Sequence, residues 1–98
     1  MKTTVLSPNK RHFIAFLIAT VPEVESVFTQ AQDDFLHVYT VVDAFDASVR
    51  KKIYEMELQI IDNFEMCDFD FQIVSRVGKP LSDLFNDPDL ELSFQRSE

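Results

Sequence analysis

The sequence predicts an α+β fold: a two-layer sandwich of element order α-β-β-α-β, with two helices on one face of a mixed sheet of three strands, or four if the C-terminal tail pairs. Three observations carry this expectation. An apolar segment opened by Ser7-Pro8 and closed by Pro22 has the punctuation of a helix. A second segment repeats Val49, Ile53, Met56, Ile60 and Phe64 at helical spacing. Around these lie runs rich in β-branched and aromatic residues, above all FLHVYTVV at Phe35–Val42.

Taken in order, Ser7 serves as N-cap and Pro8 fills the first helical position, where a missing N–H costs nothing. The helix runs to about Thr20 and is apolar on most sides (Phe13, Ile14, Phe16, Leu17, Ile18). The run Phe13–Ala19 behind Lys10 and Arg11 has the outline of a short signal-peptide core. Pro22 and Glu23, however, stand where a small-residue cleavage site belongs, so a buried first helix is the better reading. Nothing is long enough to span a bilayer.

Glu23–Gln30 reads as a strand with Val24 and Phe28 on one side, Gln30–Asp34 as a turn, and Phe35–Val42 as the second arm of a hairpin. Asp46 is the expected N-cap of the second helix. Its apolar stripe, widened by Ile61, faces the sheet, while Arg50, Lys51, Glu55, Gln59 and Asp62 face water. Asp68–Val74 is a third strand with Phe69, Phe71 and Ile73 pointing inward. A helix joining two strands of one sheet crosses right-handedly, which makes the third strand parallel to the second. These elements define a domain over residues 1–80. Residues 81–98 form an acidic tail, with a helical turn at Leu81–Phe85, a break at Pro88 and a strand pattern at Leu90, Leu92 and Phe94. That strand suits an open sheet edge, in its own chain or a neighbour's, or a partner-docking role.

Composition excludes more than it selects. Gly78 is the one glycine among 98 residues, so glycine-rich phosphate loops, dinucleotide fingerprints and nucleophile elbows cannot be written. Residues 1–22 carry Lys2, Lys10 and Arg11 and no acid, a charge of +3; residues 23–98 hold all 17 acids against six bases, a charge of −11. A net charge of −8 argues against nucleic acid or an anionic membrane as partner. The lone Cys67 precludes an internal disulfide and suits a reducing cytoplasm.

The residues able to carry chemistry are few. Asp68 and Asp70, two apart on a strand, face one side and could converge on a divalent cation, with Asp43 as a third oxygen ligand. The competing reading is a half-exposed strand with carboxylates in water and Phe69, Phe71 and Ile73 in the core. Arg76 and Lys79 flank Gly78 just after the third strand, where they could grip an anion or a partner's carboxylate, or simply line an exit turn. Cys67 beside acidic neighbours reads as structural rather than nucleophilic. His37 reads as a sheet-surface or interface residue, and His12 as solvated. Arg50-Lys51-Lys52 is spread around a helix and offset by Glu55 and Glu57.

The run "HVYTVVDAFD", a helix, then "CDFDFQIVSR" resembles the core of minimal nucleotidyltransferase domains over roughly residues 10–76. That resemblance implies metal and nucleotide held by a Gly-Ser turn, a spaced Asp pair and a third Asp on a later strand. Here Thr29-Gln30-Ala31-Gln32 replaces Gly-Ser, Asp33-Asp34 are adjacent, and by position Asp70 alone stands for the third carboxylate. The element order is also similar to the ferredoxin-like cytosolic domain of cation-efflux transporters, which implies dimerisation and metal-binding histidines and acids. The expectation drawn from the residues is a non-catalytic interaction or self-association module needing no cofactor. It would be a homo-oligomer or bind another protein through the sheet face bearing His37, Tyr39 and Val41. The alternative is a degenerate metal-dependent nucleotidyltransferase-like protein using Asp68, Asp70 and Asp43.

Overall fold

The computed structural model describes residues 8–32, 35–44, 46–64, 67–79 and 90–96. Along the chain run helix α1 (Pro8–Ile18), strands β1 (Val24–Gln32) and β2 (Phe35–Val42), helix α2 (Ala47–Asn63), and strands β3 (Asp68–Ser75) and β4 (Glu91–Gln95). Ser7, the turn at Asp33-Asp34, the Leu81–Phe85 segment and Pro88 lie outside the described residues. The architecture is the α+β sandwich the sequence predicts, with a mixed sheet of order β3-β2-β1-β4.

The hairpin β1–β2 is antiparallel, and β3 lies parallel to β2 after the α2 crossover. β4 pairs antiparallel with β1 of its own chain. Helix α1 packs on β1 and β4, α2 packs on β3, and the helices touch each other, so both cover one sheet face. Leu36, Val38, Thr40 and Val42 of β2 line that face at alternate positions, all buried under Ile14, Ile18, Ile53 and Ile60.

Local chemistry accounts for the element ends. The Asp46 carboxylate accepts the Val49 N–H at 2.9 Å and starts α2. That hydrogen bond holds the Asp46 carboxyl below the usual range. After α1, the carbonyls of Ala19 and Val21 are left without helical partners, and the Arg96 guanidinium, just past β4, donates to them at 2.8 and 3.3 Å. It also donates to the Val24 carbonyl at 2.9 Å. Arg11 of α1 reaches Glu91 at 2.7 Å. Strand β4 is thus tied at one end to α1 and at the other to the segment that leads from α1 into β1.

Three details depart from the sequence reading. β1 continues to Gln32, so Gln30, Ala31 and Gln32, expected in the turn, pair with His37, Leu36 and Phe35. A register shift between Val24 and Ser26 puts Val24 on the core side with Val27 and Thr29, so Phe28 faces away. Such a bulge inserts one residue and breaks strict alternation. On α2 the fourth buried position is Glu57, while Ile61, expected to widen the core stripe, is 44% exposed. The reason is angular: at about 100° per residue Glu57 falls about 20° from Phe64, whereas Ile61 falls about 80° from Ile53.

Candidate functional site

The carboxylates singled out from sequence occupy two separate places. His37 and Asp70 are register partners on β2 and β3, with His37 Nδ1 3.0 Å from Asp70 Oδ2. Gln72 Nε2 donates to the same oxygen at 3.3 Å. These hydrogen bonds, that from His37 foremost, hold the Asp70 carboxyl below the usual range. His37 Nε2 lies 3.4 Å from Gln32 Oε1, and the Phe35 ring stacks on the imidazole at 4.9 Å. Both ring nitrogens therefore face side-chain oxygens, and the imidazole links β1, β2 and β3 across the face away from the helices.

Asp68 is exposed beside Phe35 at the start of the β2–β3 ladder, whereas Asp43 follows its far end at Val42–Ser75. Seven residues of strand separate the two ends, about 23 Å at the usual rise. The structure brings Asp70 to a histidine and does not bring Asp43 to Asp68 and Asp70. Among the described residues no group of three or more His, Cys, Asp or Glu is placed to hold one metal ion. Cys67 is half-buried at the entrance to β3.

Asp43 instead organises the turn after β3. Its side chain accepts the Gly78 N–H at 2.7 Å and its carbonyl accepts the Val77 N–H at 2.9 Å. Gly78 has φ of 80° and Val77 has φ of 50°; only the first is cheap, because a β-branched residue is strained there. Arg76 Nε donates to Glu25 at 2.8 Å, Nη1 donates to the Lys79 carbonyl at 2.9 Å, and Nη2 lies 3.7 Å from Asp43. The Arg76 guanidinium is committed to holding this turn against β1, while the Lys79 side chain is exposed.

The sheet face bearing His37, Tyr39 and Val41 is not uniformly open. Val41 and Ser26 across from it are buried, and His37 and Tyr39 are half-buried. At its Val41 end this face is covered within the chain.

Exposed apolar side chains lie elsewhere: Phe13 and Phe16 of α1 are 52 and 63% exposed, and a further apolar surface runs along β3. Phe69, Phe71 and Ile73 point to the core, yet all three are only half-buried, while their register partners Leu36, Val38 and Thr40 are buried. Among the described residues β3 is the outermost strand on its side of the sheet, and the Phe69 and Phe71 rings stack 5.3 Å apart there. Above this edge runs a second apolar stripe of α2: Tyr54, Leu58 and Ile61, exposed at 49, 61 and 44%. The stripe lies on the flank away from α1, because Met56, roughly opposite it on the helix, meets Thr20, just past the end of α1, at 3.3 Å. The sequence held the signal for it, three apolar residues at i, i+4 and i+7 beside the core stripe.

Compared with family models, curated proteins and solved structures, the chain matches none.

Proposed function

We propose that this domain is a non-catalytic, cytoplasmic self-association module that works through the outer edge of β3 and the adjoining flank of α2. One observation carries the reading: a strand whose inward residues Phe69, Phe71 and Ile73 are half-buried, beside three exposed apolar side chains on the helix above it. Contiguous apolar surface of this kind is costly to leave in water and marks association sites. An edge strand adds a row of unpaired backbone groups. The stripe itself, Tyr54, Leu58 and Ile61, holds no acid.

Sedimentation equilibrium over a wide range of concentration tests this. Wild type is expected to rise above the 11.4 kDa monomer mass as concentration increases. Leu58→Asp, which places a charge in the middle of the stripe, is expected to stay at that mass with an unchanged circular dichroism spectrum. A wild type that sediments as the monomer throughout contradicts the reading.

A further inference from the structure

We infer that the occupant of this surface is a second copy of the same chain, joined by antiparallel pairing of β3 with β3 about a two-fold axis through Gln72, to give one continuous eight-stranded sheet. The inference rests on the self-association reading and adds a geometry to it.

Backbone directions fix the register. The Arg76 N–H donates to the Val42 carbonyl at 2.7 Å, so the even-numbered residues of β3 direct their N–H and C=O groups at β2. In a parallel ladder these directions alternate along the strand. The groups of Phe69, Phe71, Ile73 and Ser75 therefore point outward. An antiparallel partner must match outward residues with outward residues, which removes every register of the wrong parity. Pairing Phe71 with Ile73 of the second copy, and Phe69 with its Ser75, satisfies this and uses the whole strand. Gln72 then meets Gln72 across the axis at a pair not hydrogen-bonded through the backbone.

Charge agrees with this register. Asp68 comes opposite Arg76 of the second copy, which keeps Glu25 and Asp43 as its partners, and Asp70 comes opposite Val74, so the acids of each strand stand apart from their own copies. A parallel arrangement would set Asp beside Asp.

The helices agree as well. Phe64 of α2 and Phe69 of β3 touch, ring centroids 6.5 Å apart. From Phe69 to Gln72 is about 10 Å of strand, or six to seven residues of helix, roughly. Counting back along α2 from Phe64 reaches Leu58, the middle of the exposed stripe. The two-fold axis that passes through Gln72 thus passes beside Leu58 and sets the stripe against its own copy. Strands about 4.8 Å apart and helices about 10 Å apart mean that each helix covers two strands. With four strands and two helices among the described residues of each chain, continuing the sheet through β3 continues the helical layer at the same spacing.

Cysteine cross-linking under mild oxidation tests the geometry, using single cysteines in a Cys67→Ser background of the full chain. Gln72→Cys is expected to form a disulfide-linked dimer. Val74→Cys, about 13 Å from its own copy in this register, is expected to stay monomeric on denaturing gels, yet to cross-link in a mixture with Asp70→Cys. Association by sedimentation with cross-linking at Val74→Cys but not at Gln72→Cys overturns the register and leaves self-association standing. A chain that is monomeric by sedimentation and cross-links at neither position overturns both.

Discussion

Glu57 is the residue whose chemistry differs most from what its type suggests. It is 8% exposed among Ile53, Ile60 and Phe64, and its Oε2 is buried with no hydrogen-bond partner among the described residues. Burial pushes its carboxyl up from 4.5 to about 7. The folded chain therefore holds this proton more tightly than the unfolded chain does. Its contribution to stability is complete below pH 4.5, declines as pH rises, and is lost above about pH 7. Glu23, Asp46 and Asp70 work the other way: their folded-state values are lowered, so their contributions are lost as pH falls through those values. Urea unfolding across this range is expected to show greatest stability on the acid side of neutrality. Glu57→Gln is expected to flatten the decline and to raise stability above pH 7 by on the order of 2 kcal/mol, allowing for the water that still reaches the side chain. Parallel pH profiles for wild type and variant would contradict this. Sequence could not show the burial of Glu57, because a glutamate flanked by Met56 and Leu58 reads as a solvated member of a charged helix. Asp46, by contrast, was legible as a cap, since its role depends only on residues three positions away.

Elements held by local rules follow the sequence closely, and those set by distant contacts do not. β2 runs over Phe35–Val42 as read, because its aromatic and β-branched residues suit a central strand regardless of context. The bulge in β1 carries no glycine to announce it and is fixed by pairing with β2 and β4. For the tail, the alternation of Leu90, Leu92 and Phe94 gave a strand but left open which edge it would take. The choice of β1 of the same chain is made by Arg96 and Arg11, whose partners lie more than 70 positions away. Arg96 donates to the backbone carbonyls of Val24, Ala19 and Val21, the last of which also accepts the Val24 N–H. Arg96→Ala is expected to cost about 1–2 kcal/mol, since hydrogen bonds from a charged donor are worth more than neutral ones. Amide exchange is expected to localise the loss, with β4 opening faster while β2 keeps its protection. Uniform acceleration in both strands would contradict a latch specific to β4.

At the scale of the molecule, the layer order and strand directions followed from the element sequence and the handedness of crossover connections. The candidate site did not, for two physical reasons. Asp43, Asp68 and Asp70 could be grouped only by guessing where strand ends meet, and the β2–β3 ladder puts Asp43 at the end away from the other two. The apolar edge depends on which strand is outermost, and α2 leaves its Tyr54, Leu58 and Ile61 flank over that strand. No helix of the described residues is long and apolar enough to cross a membrane. The central claim is that β3 is a docking edge for its own copy. Residue-resolved amide exchange at low and high protein concentration tests it most directly, because β3 carries its own control. The amides of Asp70, Gln72, Val74 and Arg76 face β2 and are expected to be protected at both concentrations. Those of Phe69, Phe71, Ile73 and Ser75 are expected to exchange rapidly when dilute and to gain protection as concentration rises. If these outward amides exchange equally fast at every concentration, β3 is not where the chain meets itself.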